Sequence, residues 1–175
     1  MRMTTRFRQL LKEPGIIQAP GAYDCLTANI IQKAGFPAVY MTGAGTSVAQ
    51  LGYPDLALAS MTEMVQNAAS ITETLAVPLI ADADTGYGGV LNVRRTVRQY
   101  ERAGVAAIHI EDQESPKRCG HLDDKKVIST EDMVQKIRAA VDARNDPDFV
   151  IIVRTDALAV SGWDDTMRRC DAYVE

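Results

Sequence analysis

Two carboxylates separated by one residue stand directly after a short apolar run of this 175-residue chain. The run at 79–81 leads into Asp82 and Asp84, and side chains two residues apart in a strand point to the same face. Like charges held this close repel each other, and a hard divalent cation relieves the repulsion. Glu111 directly follows a second apolar run, 107–110, and would reach the same edge of a sheet. This oxygen-only set predicts Mg²⁺, with Mn²⁺ as an alternative, unless the three acids are helix caps or solvated turn residues.

Three further groups would face the same edge. Arg154 directly follows the run 150–153. Its planar guanidinium suits a substrate carboxylate, and a salt bridge to Asp82, Asp84 or Glu111 is the alternative. The small-residue segment 42–47 could bring backbone N–H groups close to an anion, while a tight turn would need the same glycines. His109 shares a face with Glu111, and a hydrogen-bonded core residue is a more frequent role for a buried histidine than a ligand.

A long polar loop, residues 113–127, follows the fourth apolar run. Its basic and reactive side chains are Lys117, Arg118, Cys119 and His121. Loops longer than about 12 residues inside compact domains are usually functional lids or disordered. Basic neighbours favour the thiolate form of a cysteine and support proton transfer, and Gly120 gives the loop hinge freedom. We therefore expect a lid on which Cys119 is the reactive group, with an exposed spectator thiol as the alternative.

The elements that must position these residues are of two alternating kinds, short apolar runs and segments with helical spacing. Short runs rich in Val and Ile lie at 16–19, 38–41, 79–81, 107–110 and 150–153. Helical spacing between the runs is marked by Leu26, Ile30 and Ala34, by Val93, Val97 and Tyr100, and by Met133, Ile137 and Val141. Capping boxes are predicted at 60–63 and, more weakly, at 129–132. Repeated strand–helix units with wholly apolar strands predict an α/β fold with a parallel sheet, either a doubly wound sheet or a (β/α)₈ barrel.

The composition is that of a single globular domain, residues 1–175. A net charge of −4 and a sequence pI near 5.2, with no basic block, argue against nucleic acid as a partner. No apolar run approaches the roughly 20 residues that a membrane span requires. Three widely spaced cysteines fit no disulfide or zinc pattern and indicate a reducing, cytoplasmic compartment. Residues 1–12 predict a short helix around Phe7, Leu10 and Leu11, with a mitochondrial transit peptide as the weaker alternative.

Three motifs taken together resemble the isocitrate lyase and phosphoenolpyruvate mutase superfamily. They are Tyr40-Met41-Thr42-Gly43-Ala44-Gly45, Ala81-Asp82-Ala83-Asp84-Thr85-Gly86-Tyr87-Gly88 and Lys117-Arg118-Cys119-Gly120-His121. Segments 52–56, 109–113 and 153–157 support them, and the resemblance extends from about residue 15 to residue 175. It implies a TIM-barrel type (β/α)₈ fold. Such a barrel usually needs about 250 residues, so we expect an incomplete barrel of about five βα units that lacks its C-terminal part.

The resemblance also implies a role for each motif. Asp82, Asp84 and Glu111 would hold Mg²⁺ directly or through water. The residues that would bind substrate or support that network are Thr42, Gly43, Ala44, Asp55, Gly120 and Arg154. The catalytic residues would be Lys117, Cys119 and His121, with Cys119 as the acid or base on a closing lid.

The loop sequence is similar to the lyase branch of the superfamily rather than to its phosphonomutases. It implies a carbon–carbon lyase that cleaves a 2-hydroxy di- or tricarboxylic acid, of the methylisocitrate or dimethylmalate type, through an enolate. Hydrolysis of oxaloacetate to oxalate and acetate, and a non-catalytic fragment of such an enzyme, are the alternatives. The partner would then be a small carboxylic acid, and full-length members of the family are expected to be homo-oligomers.

Overall fold

The computed structural model describes residues 1–120 and 122–175, whose five strands form one parallel sheet. The strands are β1 (Gly21–Ala22), β2 (Val39–Met41), β3 (Leu79–Asp82), β4 (Ala107–Glu111) and β5 (Val150–Arg154). Their order in the sheet is the order in the chain. A doubly wound sheet reverses its strand order at a switch point, whereas right-handed crossovers that always advance in one direction place every helix on one face. The fold is therefore the barrel type, with five of its βα units.

Helices connect the strands and continue beyond β5. They are α1 (Met3–Leu10), α2 (Cys25–Lys33), α3 (Gly43–Thr46), α4 (Met61–Thr74), α5 (Val90–Arg102), α6 (Thr130–Ala143) and α7 (Trp163–Val174). A π-helical turn, Ser47–Leu51, continues α3, and a 3₁₀ turn, Ala157–Ala159, follows β5. None of the described helices combines the length and the apolar character needed to cross a membrane.

The first strand differs from the prediction at 16–19. The ladder begins instead at Gly21–Ala22, and the Tyr40 N–H donates to the carbonyl of Pro20. Pro20 has no N–H and cannot donate to a ladder, which explains why the regular pairing starts after it. Ile16 is 92% exposed, so the apolar run leads into the strand without being part of it.

The predicted helix starts are confirmed. In the capping box of α4, the Glu63 N–H donates to Ser60 Oγ (3.4 Å), and the Ser60 N–H donates to Glu63 Oε2 (2.8 Å). The Asp132 N–H donates to Ser129 Oγ (3.0 Å) at the start of α6. These side chains satisfy backbone donors that have no partner inside the helix.

The helical faces agree with the prediction for α5 but not for α2. The predicted stripe of α5, Val93, Val97 and Tyr100, is fully buried. In α2, by contrast, Leu26 and Ile30 are 69% and 58% exposed, and the helix buries Ala28. Helix α2 packs against β1, β2 and α4, and Ile31 and not Leu26 or Ile30 contacts the main core from this helix.

The two faces of the sheet bury different kinds of side chain. One face, including Val39, Met41, Leu79 and Ile108, packs in the main core with the helices. On the other face, the amino ends of the strands pack in a smaller apolar cluster, which contains Phe7, Ile80, Ala106, Ala107 and Val150. Phe7 is 2% exposed, so the predicted N-terminal helix exists and caps the amino end of this second face. The same face is polar at the opposite end of the strands.

We predict that Ile108→Ala lowers the free energy of unfolding by about 2–5 kcal/mol, because it leaves a cavity in the middle of β4, where Ile108 is fully buried. Urea unfolding followed by circular dichroism measures the change. The matched control is Leu91→Ala in α5, where the side chain is 80% exposed and a change within about 0.5 kcal/mol is expected. Equal losses in the two variants would contradict the assignment of the core.

Candidate active site

Alternation along the strands brings the predicted polar residues to one face. Asp82 pairs in register with His109, and Glu111 pairs with Arg154. Since side chains two residues apart share a face, His109 and Glu111 lie on the same side of β4. The structure therefore brings together the ends of β3, β4 and β5, as the sequence predicted.

Asp82 is held by backbone donors. The Gly43 N–H donates to Asp82 Oδ2 (3.2 Å), and the Asp84 N–H donates to Asp82 Oδ1 (3.0 Å). A Cβ on residue 43 would lie 2.6 Å from Asp82 Oδ2, so the approach requires glycine. The small-residue segment is a helical turn, in which Thr42 Oγ1 accepts the Gly45 N–H. The Gly43 N–H that we expected to hold a substrate carboxylate thus already serves Asp82.

Asp84 reaches the site by a turn and not by strand geometry. β3 ends at Asp82, and Asp84 has a left-handed backbone conformation with φ +48°. Non-glycine residues rarely adopt this conformation, and an Asp tolerates it better than most. The Glu111 N–H donates to the Asp84 carbonyl (2.9 Å), which fixes the turn against β4. The prediction that Asp82 and Asp84 project from one extended strand was therefore wrong, although both carboxylates do lie at the site.

Lys117 ties the loop after β4 to two carboxylates. Its Nζ lies 2.6 Å from Asp55 Oδ1 and 2.7 Å from Asp84 Oδ1. Both contacts are short ion pairs between buried groups. Burial alone would lower the pKa of Lys117, but the two carboxylates outweigh burial and raise it above the usual value. Lys117 is therefore a fixed cation.

Arg154 and Glu111 form a second charged group. Arg154 Nη1 lies 3.3 Å from Glu111 Oε2, and Nη2 donates to Asp156 Oδ1 (2.8 Å). The Arg154 side chain keeps 34% of its surface exposed, whereas that of Glu111 keeps 3%. Arg154 thus makes the predicted salt bridge and also remains reachable from solvent.

Burial raises the pKa of two of the predicted metal ligands. For Glu111, desolvation is the largest cause, and Lys117 and Arg154 offset it only in part, so the pKa rises to about 8. For Asp84, desolvation and the negative charge of Asp82 outweigh the attraction of Lys117 and raise the pKa to about 6. Both groups therefore hold protons more tightly than exposed carboxyls when no cation is bound.

His109 is a partnered core histidine, as the sequence favoured. Its Nδ1 lies 2.9 Å from the hydroxyl of Tyr40, and the two rings are tilted with centroids 6.0 Å apart. Burial lowers the pKa of His109, more than offsetting the attraction of Asp82 for its proton. The imidazole is thus kept neutral beneath the carboxylates.

The loop that carries Cys119 lies over Arg154. A Cβ on Gly120 would overlap the Arg154 guanidinium, so this position admits the loop backbone only because it is glycine. Lys125 Nζ donates to the Gly120 carbonyl, and Cys119 is half-buried. The predicted lid is therefore seated on the strand ends. His121, the remaining predicted catalytic residue, lies outside the described residues.

The carboxylates at the strand ends are of the ligand type that a divalent cation prefers. Within residues 1–120 and 122–175 the cluster contains the carboxylates of Asp55, Asp82, Asp84, Glu111 and Asp156 and the cations Lys117 and Arg154. No group of three or more His, Cys, Asp and Glu among these described residues forms a ready metal cage. Mg²⁺ usually binds one or two protein carboxylates and keeps several waters. The surplus of buried carboxylates over cations fits such a hydrated ion better than a closed cage.

The sequence predicted no role for three residues that lie at the site, Gln113, Asp112 and Asp156. Gln113 Nε2 donates to Glu111 Oε1 (3.0 Å), and Asp112 accepts from the Asp156 N–H (2.9 Å). The period of two that placed His109 beside Glu111 would also have placed Gln113 beside Glu111 and Asp156 beside Arg154. Nothing in the sequence indicated that Asp112 would be fully buried.

Comparison with known proteins supplies a family for this arrangement. The sequence profile of the family described as phosphoenolpyruvate phosphomutase matches residues 7–175. The chain is 52% identical to 2,3-dimethylmalate lyase of Eubacterium barkeri over 100% of its own length and 61% of that protein. It is 47% identical to 2-methylisocitrate lyase of Shewanella oneidensis over 97% of its length and 58% of that protein. The chain thus spans about 60% of the length of the curated relatives it matches.

Solved structures agree with the sequence relatives. A crystal structure of 2,3-dimethylmalate lyase superposes with a TM-score of 0.94 at 46% identity, covering 99% of this chain and 59% of that one. Oxaloacetate acetylhydrolase in complex with 3,3-difluorooxalacetate gives a TM-score of 0.94 at 46% identity, covering 98% of this chain and 59% of that one. The barrel-type fold expected from the sequence is therefore confirmed.

We predict that the Glu111 carboxyl makes the metal-free chain less stable as pH rises. Its pKa is about 8 in the folded chain against 4.5 in the unfolded one, so the folded state binds the proton more tightly between these values. The stabilising contribution is complete below about pH 4.5 and is lost as pH rises through about pH 8. Urea unfolding in chelator, from about pH 5 to about pH 9, should show the wild type losing stability relative to Glu111→Gln.

The matched control for this measurement is Glu131→Gln, at the exposed start of α6. Its stability should follow the wild-type pH profile. Parallel profiles for the wild type and Glu111→Gln would contradict the raised pKa of Glu111.

Proposed function

Because this chain belongs to the phosphoenolpyruvate phosphomutase family, we propose that it carries the cation- and carboxylate-binding part of a carbon–carbon lyase active site. The observation that carries the proposal is the buried carboxylate cluster beside Arg154, covered by the loop of Lys117 and Cys119. The relatives named above include lyases of dimethylmalate and methylisocitrate. The proposed substrate is therefore a 2-hydroxy di- or tricarboxylic acid.

Asp82, Asp84 and Glu111 are the residues that would hold Mg²⁺, directly or through water. When bound, the ion supplies positive charge that stabilises negative oxygens on the substrate. The raised pKa values of Asp84 and Glu111 support this role, because a cation would favour the ionised carboxylates that the bare site disfavours.

Arg154 is proposed to bind a substrate carboxylate. Its guanidinium is held by Glu111 on one nitrogen and by Asp156 on another, and one third of the side chain is still exposed. These contacts hold the guanidinium plane in one orientation before a substrate binds, so binding costs the Arg154 side chain little further conformational entropy. Thr42, Gly43 and Ala44 would meet the substrate on the opposite side, near the end of β2.

Cys119 is proposed to move the proton. In the cleavage of a 2-hydroxy acid, the hydroxyl proton passes to a general base and the C–O bond becomes a carbonyl. The electron pair of the broken C–C bond stays on the departing acid as an enolate. The Cys119 thiol would then give a proton to the enolate carbon, while the lid excludes water that would compete. Lys117 is already committed to Asp55 and Asp84 as a cation, so we assign it to anchoring the lid.

Hydrolysis of oxaloacetate is the second candidate. It is favoured by the similarity to oxaloacetate acetylhydrolase, which equals in TM-score the similarity to the dimethylmalate lyase structure. The same residues would hold the anionic substrate, and water would attack its ketone.

We predict that the purified chain releases a 2-oxo acid from dimethylmalate or methylisocitrate with Mg²⁺, and that chelator abolishes the release. Formation of oxalate from oxaloacetate would instead support the hydrolase. If no substrate is consumed, calorimetric titration with Mg²⁺ and oxalate tests the binding site by itself. Absence of both turnover and binding from folded protein would overturn the proposal.

We also predict that Cys119→Ser lowers turnover about 10²–10⁴-fold, the usual contribution of a positioned general acid. Mg²⁺ binding should be unchanged, because Cys119 is not among the proposed ligands. Cys170→Ser in α7 is the matched control and should keep turnover within about twofold. Equal activity of Cys119→Ser and the wild type would remove Cys119 from the mechanism.

A further inference from the structure

The Gln113 side chain lies at the junction of the carboxylate cluster and the lid, with only 1% of its surface exposed. Its Nε2 donates to the lid through the Arg118 carbonyl (2.9 Å). The same nitrogen lies 3.0 Å from Glu111 Oε1 and 2.9 Å from Asp156 Oδ2. Its Oε1 accepts the Arg118 N–H (3.0 Å), so the amide grips both backbone groups of Arg118.

The amide nitrogen of Gln113 has fewer hydrogens than there are acceptor oxygens around it. An amide nitrogen carries two hydrogens, but three oxygens lie within 3.0 Å of Gln113 Nε2. The opposite orientation of the amide would place Oε1 against all three oxygens and its NH₂ group against the Arg118 N–H, so the network fixes the orientation. Glu111, Arg118 and Asp156 therefore compete for two hydrogens.

One of the three acceptors belongs to a residue whose backbone has an anchor of its own. The Asp156 N–H donates to Asp112 Oδ1 (2.9 Å), and Asp112 Oδ2 accepts from the hydroxyls of Thr155 (2.7 Å) and Tyr173 (2.8 Å). Asp112 is fully buried, so this anchor reaches from the end of β5 to α7. The acceptors that can change are then Glu111 in the proposed cation site and Arg118 in the lid.

We propose that Gln113 is a positioning residue that couples cation binding at Glu111 to the position of the lid. The inference rests on the proposed function. If Glu111 held a cation, its Oε1 would be a weaker acceptor for Gln113, and the two amide hydrogens would be matched to Asp156 and to the Arg118 carbonyl. The lid is held more tightly between Lys117, which is anchored on Asp84, and Cys119.

Limited proteolysis of the whole chain measures this coupling without recording activity. Trypsin cleaves after Lys and Arg, and Lys117, Arg118, Lys125 and Lys126 all lie in the loop. In the wild type, Mg²⁺ with oxalate should slow cleavage in the loop about tenfold relative to chelator, because a closed loop must open before it is cut. Mass spectrometry assigns each cut, and calorimetry gives the affinity for Mg²⁺.

The test variant is Gln113→Met, which keeps the length of the side chain and removes its hydrogen bonds. We expect its Mg²⁺ affinity to stay within about threefold of the wild type while the protection of the loop falls below about twofold. Gln113→Asn, which keeps the amide but shortens its reach by one methylene, is the second variant if Gln113→Met does not fold. Thr72→Val is the matched control, since it removes a side-chain hydrogen bond to the Ala103 carbonyl away from the site and should keep full protection.

Protection that persists in a folded Gln113 variant would overturn the coupling and leave the proposed function intact. A Gln113 variant that loses Mg²⁺ binding itself would also overturn it, because Gln113 would then support the carboxylates and not the lid. Wild-type protein that binds Mg²⁺ without any protection of the loop contradicts the coupling alone. Wild-type protein that binds no Mg²⁺ contradicts the proposed function and this inference together.

Discussion

An excess of buried negative charge at the strand ends is the constraint on which the rest of the site depends. Asp82, Asp84 and Glu111 are 9%, 6% and 2% exposed, and buried charges are costly unless they are paired. Nearby polar and positively charged groups of the chain offset that cost. Backbone N–H groups serve Asp82, Lys117 serves Asp84, and Arg154 serves Glu111. The raised pKa values of Asp84 and Glu111 indicate that this internal compensation is incomplete.

The position of the lid and the proposed cation site both depend on the same carboxylates. The loop after β4 is drawn onto the sheet because Lys117 brings a positive charge to Asp55 and Asp84. The other side of the loop is held by Gln113, whose amide also contacts Glu111. A change in charge at the carboxylates must therefore alter the forces on the loop.

Residue spacing predicted one part of this site well and another part poorly. The period of two in parallel strands placed Asp82, His109, Glu111 and Arg154 on one face, because that geometry is local. The left-handed turn at Asp84 and the use of the Gly43 N–H by Asp82 could not be predicted, since they depend on contacts between separate strands. For the same reason helical spacing located α2 but not its buried side, which is decided by the neighbours it packs against.

The identity of the group that carries a proton follows from the same electrostatics. The sequence resemblance implied Cys119 as the acid or base of the loop, with Lys117 and His121 as further catalytic residues. Lys117 is held as a cation by two carboxylates, and a group whose proton is bound this firmly is a poor acid at neutral pH. Cys119 lies two residues further along the loop, beside the glycine that packs on Arg154. The fixed charge on Lys117 therefore supports the proposal that Cys119 transfers the proton.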